Sequence, residues 1–126
     1  MEKQILITAS VLGLLSIVLG AFGAHMFEEH LSVERLAVYH TAVRYQFYHA
    51  FFLLFLGLKS PEICLKFIKY IYSFCLLGVC FFSGSLYLLC LTDKTFFGMI
   101  TPIGGGFLIL SWILLIVAIS KSKKIK

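Results

Sequence analysis

All four histidines of this chain fall within one stretch, at His25, His30, His40 and His49, together with Glu28, Glu29, Glu34, Arg35, Arg44 and Gln46. Side chains of these kinds bind metals, relay protons or hold anions. Imidazole and carboxylate are metal ligands, but the histidines are five, ten and nine residues apart and no H-E-x-x-H pair is present. No metal site is expected on that spacing. His49 as a neutral imidazole has a hydrogen-bond partner in Tyr45 one turn back, or in a serine of another helix, and this structural role is preferred over proton transfer. Arg44 stands near a helix end, where a long cationic side chain snorkels to lipid phosphates. Ser83 and Ser85 in FSGS lack the G-x-S-x-G elbow of a nucleophile. Serines beside glycine in an apolar helix are packing residues first. Gly104-Gly105-Gly106 follows no strand and is a weak phosphate signal. No catalytic residue and no cofactor is expected.

The elements that must position these groups are set by composition. The 126 residues are 60% hydrophobic and 13% charged, with a mean hydropathy of +0.98. Soluble domains carry about 45–50% apolar and about 25% charged residues, and a small domain has too little interior to hide the difference. Four apolar runs, the second short and apolar only over about 45–58, give four expected helices, over residues 5–24, 33–58, 68–91 and 96–120. Each approaches the roughly 20 residues that cross a bilayer. Continuous runs exclude a membrane barrel, whose strands alternate, and an open sheet would strand backbone groups in hydrocarbon. The expected fold is therefore all-α: one integral membrane bundle of four transmembrane helices over residues 1–126. The first run has a small-x-small step at Ala21-Phe22-Gly23, but its length and the apolar residues after it mark a retained helix rather than a cleaved leader.

The basic residues orient the chain. Lys3, Lys59, Lys66, Lys69 and the four lysines from Lys121 onward lie on one side of a four-span chain, against Arg35, Arg44 and Lys94 on the other. By the positive-inside rule both termini are cytoplasmic, in the inner or plasma membrane. The +5 net charge is concentrated in the KSKKIK tail, so lipids, not nucleic acid, are the expected partners. Cys64, Cys75, Cys80 and Cys90 form no C-x-x-C pair, and no structural disulfide is expected. Ser60-Pro61 stops the second helix, and Thr92-Asp93-Lys94 is a turn short enough to make helices three and four antiparallel neighbours. Pro102 followed by three glycines predicts an irregular start to the fourth helix.

The polar segment between the first two runs reads as a helix start, with Ser32 as N-cap and Glu34 in the first turn. It is either an interfacial helix that turns inward or the outer third of one long helix. Helix association in lipid depends on small residues that let backbones approach. Gly13, Ser16, Gly20 and Ala24 lie on one stripe of the first helix, and Gly78 and Gly84 serve the third. These six are the expected packing positions.

GAFGAH (Gly20–His25), YHTAVRYQFYHA (Tyr39–Ala50), FSGSLYLL (Phe82–Leu89) and ITPIGG (Ile100–Gly105) resemble, in order, the motifs of the domain of unknown function 423 family, which is similar to the transmembrane protein 256 group. The resemblance implies a four-helix bacterial inner-membrane protein and no reaction, substrate or cofactor. The motif residues His25, Arg44, His49, Ser83 and Thr101 all belong to the outer half of such a bundle. The expected site is one outward-facing pocket lined by these five, binding a lipid head group or small anion. Transport or proton-coupled permeation is the second reading and requires a homo-oligomer. A membrane enzyme is the third.

Overall fold

The structure, a computed structural model, describes all residues from Met1 to Lys126 and is entirely helical. Its four long helices are α1 (Glu2–Phe27), α2 (Val33–Lys59), α3 (Leu65–Thr92) and α4 (Phe96–Lys121). Three of them, α1, α3 and α4, are long and apolar enough to cross a membrane. Only 29 of the 126 residues are buried, while Phe22, Met26, Ile109 and Ile116 are each more than 60% exposed. Apolar surface on this scale has no place in water and suits hydrocarbon.

Local chemistry sets the helix boundaries. The Arg35 N–H donates to Ser32 Oγ at 3.1 Å, so α2 begins at the expected cap. It then runs unbroken to Lys59, which makes the polar segment the outer third of one long helix. Pro61 lies in a single 3-10 turn, Ser60–Glu62, that leads to α3. α3 closes on Asp93, whose φ of 56° is the one positive value outside glycine. A short polar side chain such as aspartate tolerates that left-handed geometry. The Arg35 guanidinium meets Asp93 Oδ1 with Nη2 at 2.7 Å and Nε at 2.8 Å, tying the first turn of α2 to the end of α3.

Two features differ from the sequence reading. The start of α4 is continuous helix through Pro102 and the three glycines, with Gly104 packed against the backbone of α3. In α1, residues Val18–Gly23 form a π-helical turn that neither composition nor periodicity marks.

α2 and α3 form the middle of the bundle; α1 packs on α2 and α4 on α3. Side chains brace the two diagonals. Thr8 shares a 2.8 Å hydrogen bond with Tyr72, between α1 and α3, and Trp112 Nε1–H donates to His49 Nε2 at 3.2 Å, between α4 and α2. Ile5, Leu53, Leu56, Ile68 and Ile71 are fully or almost fully buried in a core at the end that carries both termini. There the tail folds back, with Ser122 Oγ donating to the Glu62 carbonyl and Lys124 Nζ to the Pro61 carbonyl.

The α3–α4 seam is the closest. Gly78 faces Leu108, Phe82 faces Gly104, and Ser85 Oγ meets Thr101 Oγ1 at 2.7 Å. The equal, opposite steps of these three pairs define an antiparallel register.

Candidate functional site

The motif residues make most of the side-chain hydrogen bonds between helices. Tyr39 O–H donates to the Leu19 carbonyl at 2.6 Å, within the π turn. A π turn displaces the regular ladder and leaves such carbonyls accessible. Gly23 is glycine because a Cβ there would overlap the Tyr39 hydroxyl, and a Cβ on Gly20 would lie 3.0 Å from Val43 Cγ1. The GAFGAH segment is thus the seat for Tyr39 and Val43 of α2.

Gln46, 4% exposed, joins three helices. Its Nε2 donates to the Leu12 carbonyl of α1 at 3.1 Å, and its Oε1 accepts from Tyr87 O–H of α3 at 2.8 Å. Ser83 Oγ donates to the Ala42 carbonyl at 2.7 Å. His49 uses both ring nitrogens: Nδ1 lies 2.7 Å from the Tyr45 carbonyl and Nε2 accepts from Trp112. That pairing requires the neutral tautomer with the proton on Nδ1. No buried side-chain polar atom lacks a partner.

The five residues expected to line one pocket therefore do not share one. His25 is 87% exposed at the C-terminal end of α1, 3.9 Å from Glu28. His49 faces α4, Ser83 is sealed against α2, and Thr101 is spent on Ser85. Arg44 alone lines an open groove of about 490 Å³ between α1 and α2. The reason is angular. Five residues along a helix rotate about 140°, so Arg44 and His49 point to different sides of α2.

The groove is built from Ser16, Ile17, Gly20 and Ala21 of α1 and His40, Val43, Arg44 and Phe47 of α2. His40 precedes Arg44 by four residues, the spacing that places two side chains on one helical face. That spacing was present in the sequence and is what the five-residue pocket overlooked. The ion pairs of the chain are His25–Glu28, Arg35–Asp93 and Lys59–Glu62. Arg44 belongs to none of them, and neither it nor His40 has a side-chain hydrogen bond.

Of the expected packing positions, Gly20 and Gly78 are tight, while Gly13 is in ordinary contact with Ala50. Ser16 is buried, its Oγ on the Leu12 carbonyl, and Ala24 is half-buried. Gly84 is not a packing position within the chain, since a Cβ there would meet nothing within 4 Å. It borders an open crevice shared with Phe97 and Ile100 of α4. Gly57, against Leu6, and Gly104, against the Phe82 backbone, are close approaches that spacing alone did not reveal.

A family model described as "Protein of unknown function (DUF423)" matches residues 19–105, the part that holds all four motifs. A UPF0382 membrane protein of Staphylococcus haemolyticus is 40% identical over 119 residues, covering 94% of this chain and 97% of its own. The UPF0382 membrane protein YwdK of Bacillus subtilis is 37% identical over 120 residues, with 94% and 98% covered. The UPF0382 inner membrane protein YgdD of Escherichia coli K12 is 30% identical over 123 residues, with 98% and 94% covered. No solved structure matches the chain.

Proposed function

This chain belongs to the DUF423 family of membrane proteins, a membership that brings no reaction with it, and from its geometry we propose a four-span protein that binds a phosphate-type oxyanion at Arg44. Packing supports four crossings. α2 lies antiparallel beside α1 from Gly57 against Leu6 to Tyr39 against Leu19. A helix held along the length of a crossing helix occupies the same depth. With four crossings, the lysine-rich end that holds both termini is the cytoplasmic one. Single-cysteine labelling at positions 3, 30 and 126 in intact cells tests this. An impermeant reagent should modify position 30 alone; modification of position 3 or 126 would remove the topology.

One observation carries the binding role: Arg44 is a guanidinium without a partner at membrane depth. Gln46, His49, Ser83, Ser85 and Tyr87 each use their polar atoms inside the chain. An α-helix rises 1.5 Å per residue, so Arg44 lies about 22 Å from Lys59, inside a hydrocarbon core of about 30 Å. An ionised group there is costly and tends to be functional. Its planar fork fits two phosphate oxygens, and the groove opens beside it.

Phosphate oxygens reach this site from a lipid head group or from free phosphate, and two arms separate the sources. Purified protein is titrated with inorganic phosphate and, separately, with phosphatidylglycerol in mild detergent, with retention read by native mass spectrometry. A charge-assisted hydrogen bond is worth about 1.5–3 kcal/mol, so Arg44→Ala should weaken the retained ligand roughly tenfold or more. Equal retention by wild type and variant, or none in either arm, would overturn the reading.

A further inference from the structure

We infer that the apolar cleft between α2 and α4 is a site for an anionic lipid, with the head group held by the lysines at its end and acyl chain lying along Trp112. It shares no residue with the Arg44 groove and does not rest on that reading. α1 packs on α2 and α4 on α3, so α2 and α4 meet only across a diagonal. A cleft of about 440 Å³ remains between them, lined wholly by apolar and aromatic side chains, among them Tyr48, Phe51, Phe55, Trp112, Leu115 and Ile119. Trp112 is fixed in place. Its Nε1–H donates to His49, and its ring centroid lies 4.5 Å from that of Phe52. It is still 47% exposed. α4 is long and apolar enough to cross a membrane, so the cleft along it opens to acyl chains.

Charge at one end of the cleft commits its occupant. Phe55 and Ile119 lie near the ends of α2 and α4, and both helices finish in lysine, at Lys59 and Lys121. The tail beyond Lys121 is held. Ser122 Oγ donates to the Glu62 carbonyl at 2.5 Å, Lys124 Nζ donates to the Pro61 carbonyl at 3.0 Å, and Ile125 packs against the core. The tail thus crosses from the end of α4 to the turn after α2, and it keeps Lys123, Lys124 and Lys126 at the end of the cleft. Eight lysines stand at this end of the chain against two acids, Glu2 and Glu62, and Glu62 is paired with Lys59. Lys123 and Lys126 have no ion pair, and Lys124 meets only a neutral carbonyl. The protein leaves these charges unbalanced, and a lipid phosphate is the counter-ion that a membrane offers at this level. A lysine close to an anionic surface strengthens binding roughly fivefold. Trp112 lies about 14 Å along α4 from Lys121 by helical rise, about half of a 30 Å hydrocarbon core. A lipid with its head at the lysines therefore brings its chain to the indole.

The chain has one tryptophan, and it reports on the cleft. Full-length protein is reconstituted into vesicles of equal parts phosphatidylcholine and phosphatidylglycerol. One lipid or the other carries brominated acyl chains, which quench tryptophan on contact. Brominated phosphatidylglycerol should compete for Trp112 at least threefold better than brominated phosphatidylcholine. The preference should shrink in about 1 M salt, where screening falls to roughly 3 Å. Replacing Lys123, Lys124 and Lys126 together by Gln should make the two lipids quench equally, whereas the triple Arg variant should keep the preference. Trp112→Phe with Ile113→Trp moves the indole about 100° round α4 at nearly the same depth, outside the cleft, and the preference should fall at least twofold there. Arg44→Ala should leave the Trp112 preference unchanged. Equal quenching of wild type by the two lipids, or a preference that survives the triple Gln variant, would overturn the inference. An equal preference at the two tryptophan positions would replace the cleft with a general annulus of anionic lipid. Loss of the preference in Arg44→Ala would assign it to the Arg44 groove and overturn the cleft site while leaving the Arg44 reading standing.

Discussion

Gly104→Leu should yield no monodisperse protein in mild detergent, and Gly104→Ala should unfold markedly earlier than wild type. A Cβ on Gly104 would overlap Phe82 N and stand 2.6 Å from the Phe81 carbonyl carbon. Those are backbone atoms of the facing helix, which no rotamer change can move aside. α3 and α4 would have to separate, and the antiparallel register places two further contacts at risk. The Ser85–Thr101 hydrogen bond lies one turn outward, and Gly78 against Leu108 one turn inward. Forced overpacking costs about 1–3 kcal/mol when side chains can yield, so the alanine variant should fall at or beyond the upper end. Gly84→Ala and Gly106→Ala are the matched controls, because nothing lies within 4 Å of either added Cβ. Alanine in place of a helical glycine is favourable by roughly 0.5–1 kcal/mol, so both should be neutral or slightly more stable. Size-exclusion chromatography of Gly104→Leu and thermal unfolding of the three alanine variants in one detergent decide the matter. A Gly104→Ala protein that melts with wild type would mean the α3–α4 contact is looser than described.

The second large effect belongs to Gln46. Gln46→Leu removes the bond to the Leu12 carbonyl and leaves the O–H of half-buried Tyr87 without its acceptor. Interhelical hydrogen bonds in membranes average only about 0.6 kcal/mol each. Stranding a buried hydroxyl costs about 1–3 kcal/mol; at half-buried Tyr87 the lower half of that range applies, and it still exceeds the lost bond. Gln46→Leu should therefore cost about 2 kcal/mol. Adding Tyr87→Phe should recover most of that, since removing both partners leaves nothing unpaired. The Leu12 carbonyl keeps the Ser16 hydroxyl in either case. A double variant no more stable than Gln46→Leu would show that the loss comes from packing of the amide, not from the orphaned phenol.

These two predictions bear on the candidate site as well. Gln46 and Tyr39 hold α1 against α2 on either side of the groove level, through the Leu12 and Leu19 carbonyls. The groove persists only while that seam does. A variant that loosens the seam should weaken oxyanion binding without touching Arg44, with a simultaneous fall in melting temperature. Arg44→Ala should lower binding with little change in melting, because Arg44 makes no ion pair to lose.

Much of this protein was legible in its residues because hydrocarbon imposes simple demands. Long apolar runs had to become helices to satisfy their own backbones. Ser32, Pro61 and Thr92-Asp93 act locally, so the ends of α2 and α3 could be read from neighbouring residues. The four motif segments gave the family for the same reason, as each is contiguous. What the tertiary structure alone decided is which side chains meet. The π turn of α1 has no local signature, since it is stabilised by Tyr39 from another helix. Gly57 and Gly104 became close approaches only once α1 and α3 came to face them. Residues grouped by depth along their helices, His25, Arg44, His49, Ser83 and Thr101, were dispersed by azimuth, which depth does not contain. A helix turns 100° with each residue, and where every face of it ends up depends on the helices around it.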